Sequence, residues 1–274
     1  HETDNISSDL RNLRMIKTTE ELAQIKKSAE LHTKVYKRIP SLYIKGMTDL
    51  ELQIEIEREM RLHGSIGIFR SFGENMDIFM GSLLAGDNAQ AASPFDYALG
   101  GEGISPILPL GANGSILKSG TTIMIDMAGN YRPYMDDMSR TFSIEQAPDT
   151  AYFAHEISIK IHNSIKSFAK PGTSCSDIYN TALEIVKENN LEAYFMGTGQ
   201  QAKFIGHGVG LEINEPPVFT PRSKETLVAG MAIALEPKFV LPGIGAVGIE
   251  NTYIVNENGL ENITLCEEEM IILK

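Results

Sequence analysis

Between Thr122 and Phe142, two apolar runs carry charges that a folded interior does not ordinarily accept. The first run, TIMIDMAG, sets Asp126 between Ile125 and Met127, and the second carries Asp136, Asp137 and Arg140 toward Phe142. Apolar runs on either side of Gly129-Asn130 read as a β-hairpin. Asp126 and Asp137 are 11 positions apart, a separation that puts both carboxylates on one face of the paired strands in the appropriate turn register. Carboxylates among Ile and Met need a compensating charge. Two that converge repel each other unless a cation lies between them. A plainer reading stays open here, in which Asp126 caps the turn and Asp137 pairs with Arg140.

The rest of the chain narrows what such a site can serve. With 24 Lys and Arg against 36 Asp and Glu, the net charge is −12, which disfavours nucleic acid or an anionic membrane as partner. No apolar segment approaches the roughly 20 residues of a membrane span. Cys175 and Cys266 give no disulfide framework and fit a reducing, cytoplasmic compartment. The acidic start does not read as a signal peptide, and the leading His1 suggests a processed chain with an upstream part missing.

Helix signals come in two matching sets. Thr18 and Glu21 form a capping-box pattern before Leu22, Ile25, Ala29, Val35 and Ile39, a helix that should stop before Pro40. After Gly46, Thr48 and Glu51 open a second helix, which runs to about Leu62 and closes at His63-Gly64. Residues 66–108 read as short strands with loops. The pattern then recurs: a helix over about 150–169 ends at Pro171-Gly172, and Ser174 with Asp177 caps another that reaches about Asn190. Gly46 and Gly172 are 126 positions apart. The repeat predicts two α+β halves around one continuous antiparallel sheet, with helices on one side and a polar site on the other.

Further donors stand in the second half. Glu236 lies in MAIALEPKF, Glu250 in AVGIENTYIV, and His207 in FIGHGVGLEINEPP, between glycines that permit φ > 0. Singly, these are an edge-strand carboxylate or a satisfied core histidine. Together with Asp126 and Asp137 they form a hard-ligand set suited to Mn, Fe, Co or Zn, and the lack of a thiolate cluster argues against structural zinc. Two such cations about 3.5 to 4 Å apart can share bridging carboxylates and hold a nucleophilic hydroxide.

From about Leu13 onward the chain resembles the pita-bread metallopeptidases: methionine aminopeptidase, aminopeptidase P and prolidase, with the proline-directed branch the better match. IDMAGNYRPYMDDMSRTF resembles the family's two-aspartate hairpin, GHGVGLEINEPP its histidine element, and ALEPKF and GIENTYIVNENG the segments bearing its glutamate ligands. The resemblance implies an α+β pita-bread catalytic domain over residues 17–274. Residues 1–16 would be a junction or extension, after an N-terminal domain absent from this chain. It implies a site for two divalent ions (Mn, Co, Fe or Zn) held by Asp126, Asp137, His207, Glu236 and Glu250. Asp137 and Glu250 would bridge, and Glu236 would also transfer protons. The proline-directed members are often dimers, so a homodimer is expected.

Departures accompany the match. Where the family has a second histidine, seven residues after His207, stands Asn214; four residues before His207 stands Lys203. The family's Pro-His element reads Pro94-Phe95, and Gly248 occupies the place of a common arginine. Phe95, Asn214 and Lys203 thus become the candidate substrate-binding positions, with Asn214 and Lys203 beside Glu236 in the catalytic set. The expected function is a dinuclear-metal hydrolase of short peptides, similar to Xaa-Pro dipeptidase or aminopeptidase P. The alternatives are a family member acting on a non-peptide amide, amidino or betaine-like compound, and a metal-retaining binding module.

Overall fold

Three of the helices among the described residues begin at a side-chain cap. In the computed structural model, which describes residues 5–70, 77–92, 95 and 97–274, α1 (Ser7–Met15) leads into α2 (Thr19–Tyr36), a single turn α3 (Ile39–Leu42) and α4 (Asp49–Leu62). Thr18 and Thr48 each accept the N–H three residues on, and Glu21 and Glu51 return the bond in complete capping boxes. Pro40 does not end helical structure outright. It lies in the first turn of α3, where its missing N–H costs little. α5 (Asp149–Phe168) and α6 (Cys175–Glu188) repeat the pair, with Ser174 accepting from the Ser176 N–H.

The strands are β1 (Ile68–Arg70), β2 (Asp77–Phe79), β3 (Gly81–Ala85), β4 (Thr122–Gly129), β5 (Asp136–Ile144), β6 (Gly206–Gly208), β7 (Glu215–Val218), β8 (Ala232–Leu235), β9 (Lys238–Leu241), β10 (Gly245–Gly248), β11 (Asn251–Asn256), β12 (Gly259–Asn262) and β13 (Ile271–Leu273). The two halves share their backbone bonding as well as their element order. Gly46 and Gly172 both turn at φ near +90° before the second helix of their half, a conformation that favours glycine. Leu117 N–H donates to Met47 O, and Leu227 N–H to Thr173 O. Gly120 N–H donates to Ile144 O at the start of β4, and Gly230 N–H to Val255 O at the start of β8. Each half also has its own apolar core, one between α2, α4 and β3–β5, the other between α5, α6 and β8–β11.

This is the pita-bread arrangement, a curved sheet with two helical halves. Hydrogen bonding divides the expected continuous sheet into a four-stranded part, β13-β5-β4-β3, and a five-stranded part, β12-β11-β8-β6-β7, with β1-β2 and β9-β10 as separate pairs. β13 joins β5 in parallel. The two parts meet where β5 passes β11: Glu250 N–H donates to Ser139 O at 3.1 Å, and Asp137 N–H to Thr252 Oγ1 at 2.9 Å. Arg140 clamps this seam from behind. It is 1% exposed and donates to the carbonyls of Ser139, Glu250, Thr264, Cys266 and Glu267 and to Asn251 Oδ1. All its partners are neutral oxygens, so the plainer reading in which it pairs with Asp137 does not hold.

Two buried histidines support the same strand. His155 Nδ1 accepts from Gly248 N–H while its Nε2 lies 2.7 Å from Glu268 O; His162 bridges Tyr253 Oη and Ile249 O. Burial pushes His155 down to about 4 and His162 down to about 3. Their folded values lie below the ordinary one, so the unfolded chain takes up protons first. The stability they contribute is complete above about pH 6.5 and is lost as pH falls through 6.5 toward 4. Denaturant unfolding should show a loss on the order of 3 kcal/mol per histidine across that window, and His155→Gln should flatten the slope.

Candidate metal centre

Register decides which carboxylates meet. In β4 and β5, Asp126 faces Ser139 and Asp137 faces Ala128, so both aspartates project from one face of the pair. Pairing continues to Gly129 opposite Asp136, so the connection is the longer loop 130–135 rather than a tight Gly-Asn turn. Arg140 falls on the other face by strand alternation. In the second half, His207 on β6 lies opposite Ala234 of β8, on the side toward which Glu236 projects two residues later. Glu250 immediately precedes β11, at the seam. The glycines around His207 matter for space rather than for φ > 0: a Cβ at Gly206 would meet Ala234 O at 2.2 Å, and one at Gly208 would meet Pro216 O at 2.1 Å.

Five segments thus bring Asp126, Asp137, His207, Glu236 and Glu250 to one cavity, shared with Asn214, Phe204, Tyr97, Leu99, Leu110 and Ile213. They form two ligand groups, Asp137–His207–Glu250 and Asp126–Glu236–Glu250, with Glu250 common to both and ligand atoms within 4.8 Å of one another in each. Asp137 falls only in the first group. His207 Nδ1 lies 3.1 Å from Gly208 O, and its Nε2 faces Glu236 at 3.5 Å and Asp137 at 3.9 Å. A proton on Nδ1 leaves the Nε2 lone pair toward the carboxylates, the orientation a metal ligand needs.

A residue missed in the sequence stands among them. The Lys238 ammonium, 0% exposed, contacts Asp126 Oδ2 at 2.8 Å, Glu236 Oε2 at 2.8 Å and Glu250 Oε2 at 3.1 Å. Burial would lower its pKa, but the three carboxylates hold it well above the ordinary lysine value. Burial alone would raise Glu236, yet Lys238 and His207 bring it down to about 2. Glu250 goes the other way: burial pushes it up to about 8, with Glu236 and Asp126 adding to the rise against Lys238. Burial, followed by the charges of Glu250, Asp126 and Glu236, holds Asp137 well above the carboxylate range. Glu250 Oε1 is buried without a hydrogen-bond partner. Negative charge therefore exceeds what Lys238 balances, and the Asp137–His207–Glu250 group fits a divalent cation.

The other expected positions divide. Asn214 lines the ligand cavity, whereas Lys203 and Phe95 line an adjoining groove with Tyr97 and Phe204. Lys203 is exposed there, at the edge of the adjoining groove and outside the ligand cavity. Pro94 lies outside the described residues. The described part of the expected junction, with Lys17 just after it, bonds to the site's second half: Arg11 donates to Asn214 O, and Arg14 and Lys17 pair with the buried Glu215. Lys238 was legible in principle, since it follows Glu236 by two residues and an extended chain puts i and i+2 on one face.

The chain matches metallopeptidase family M24 over residues 23–257. It is 27% identical to the Xaa-Pro dipeptidase of Pyrococcus furiosus over 97% of this chain and 68% of that protein. A probable dipeptidase, PepE, of Mycobacterium tuberculosis is 24% identical, with 96% and 62% covered. Among solved structures, the Pyrococcus furiosus prolidase superposes with a TM-score of 0.80 at 26% identity, covering 96% of this chain and 69% of that one. The X-Pro aminopeptidase of Thermotoga maritima, at 23% identity, shares the fold with a TM-score of 0.81 over 97% of this chain and 67% of that one. Fold and ligand set together define a pita-bread metallopeptidase. The chain belongs to family M24, and it spans 62 to 68% of the length of these curated relatives.

Asp137→Ala removes a ligand from the group that fits a cation. Calorimetric titration with Mn²⁺ should show affinity at least 10- to 100-fold lower, because even outer partners of ligands cost that much.

Proposed function

We propose that this chain is the catalytic portion of a metal-dependent hydrolase of short peptides, similar to an Xaa-Pro dipeptidase or an aminopeptidase P. The observation that carries the reading is the convergence of five hard ligands from five segments on one cavity. The donors are oxygens with one imidazole, a set that Mn, Co, Fe or Zn suits. A bound divalent ion supplies Lewis-acid polarisation and a nucleophile usable at neutral pH. The protein supplies the rest. Glu236, kept ionised between His207 and Lys238, is the proton acceptor that passes a proton to the leaving amine. Asn214 lines the same cavity, and Tyr97, Leu99, Leu110, Phe204 and Ile213 form an apolar wall suited to a small ring or aliphatic side chain. An upstream domain would account for the remaining length of the relatives, and a homodimer for the working assembly.

A second reading keeps the chemistry and changes the substrate to a non-peptide amide or amidino compound. Asn214 favours it, because an amide can donate a hydrogen bond but cannot transfer a proton or carry charge. A metal-reconstituted screen against Xaa-Pro dipeptides, longer Xaa-Pro peptides and N-methylated small amides separates the two. Turnover of dipeptides alone marks a dipeptidase, and of longer peptides an aminopeptidase; turnover confined to the amides overturns the peptidase reading.

Glu236→Gln should lower kcat by at least about 100-fold on whichever substrate emerges, in a protein with an unchanged circular dichroism spectrum. Asn214→His should raise Xaa-Pro hydrolysis by roughly 10-fold or more if the chain is a weakened peptidase, the scale set by oxyanion donors. If the site is tuned to another substrate, peptide turnover should stay near background while the native reaction falls.

A further inference from the structure

We infer that the Lys238 ammonium takes the place of one of the two metal ions, making this a one-metal site with a built-in organic cation. The inference rests on the metal-hydrolase reading and deepens it. Three observations carry it. Nζ contacts one oxygen from each of the three carboxylates in the Asp126–Glu236–Glu250 group, at 2.8, 2.8 and 3.1 Å. An ammonium has three N–H donors and no acceptor, so these contacts use all of them. A divalent ion held by the same carboxylates would need oxygens at about 2.0 to 2.2 Å, and it would have to displace the ammonium to obtain them.

The backbone commits the side chain to this position. Lys238 opens β9 and pairs with Gly248 at the end of β10. A Cβ at Gly248 would meet Pro237 O at 2.8 Å and Lys238 Cα at 3.1 Å, so the close approach of the two backbones needs glycine there. Glu236 and Lys238 flank Pro237, whose carbonyl accepts from Ser158 Oγ at 2.6 Å. The Lys238 side chain is fully buried.

Charge points the same way. Four carboxylates against one ammonium leave an excess that one divalent ion at Asp137–His207–Glu250 nearly balances. A second ion would sit against a positive charge in a largely buried pocket, where like-charge repulsion is less screened than in water. The two groups are thus unequal: one is built for a metal, the other is closed by a side chain. Reaction at this centre has one metal and a hydrogen-bonding ammonium to work with, and the ammonium orients Glu236 directly.

The test is stoichiometry. Wild-type protein, Lys238→Ala and Lys238→Met are saturated with Mn²⁺, desalted and subjected to elemental analysis, with thermal unfolding followed in EDTA and in Mn²⁺. Wild type should retain one ion per chain and both variants close to two. The variants should melt below wild type in EDTA and gain more from Mn²⁺, because the ion replaces the missing ammonium. Two ions in wild type would overturn the inference while leaving the hydrolase reading intact. So would variants that fold and remain at one. No bound metal in any of the three would overturn both readings. Should the variants fail to fold, the wild-type stoichiometry alone still decides.

Discussion

Four carboxylates in one nearly dry pocket are the constraint on which the rest of this structure depends. Such a cluster opposes folding unless positive charge is supplied to it. The protein meets that demand from within its own chain at one end of the cluster, where Lys238 reaches Asp126, Glu236 and Glu250. At the other end Asp137, His207 and Glu250 form a group that could hold a metal, with His207 Nε2 toward the carboxylates. Arg140 lies a single residue from Ser139 yet serves neither end. It is spent on neutral oxygens across the seam, which holds β5 against β11 without drawing charge from the site.

Duplication explains why the site lies where it does. Gly120 and Gly230 start equivalent strands with equivalent bonds, and six residues after each stands a ligand, Asp126 in one half and Glu236 in the other. Each half has its own core, but neither holds a complete ligand group. The chemistry belongs to the seam, so anything that loosens β5 from β11 disturbs the ligands before it exposes a core. The buried histidines behind Gly248 and Ile249 tie the integrity of that strand to pH.

The cavity also reaches beyond the ligand shell. Arg11, Arg14 and Lys17, from the first described helix and its exit, hold Asn214 and Glu215 at the entry to β7. The expected junction is thus bonded to residues that adjoin the cavity. The exposed Lys203 and half-buried Phe95 belong to the rim of the adjoining groove, where they can affect what enters more than what reacts.

Much of this was legible in the residues. The capping boxes at Thr18 and Thr48 and the glycine turns at 46 and 172 follow from local rules, because a cap or a turn is decided by neighbours in sequence; the ligand set rests on the family resemblance. Asp126 and Asp137 could be suspected of sharing a face, but only the register of β4 and β5 decided it, since a slip of one residue would have sent one of them to the other side. The same holds for the loop 130–135, which strand pairing lengthened at the expense of a tight turn. Lys238 and Arg140 are the clearest cases of what sequence leaves open. Both read as charged residues in apolar strands; which one meets carboxylates and which meets carbonyls depends on the strand that lies opposite, more than 100 residues away for Asp126 and Lys238. The chain by itself determined its elements, its repeat and its ligands. Tertiary structure decided how their charges are paired, because electrostatic pairing is a property of distance in space.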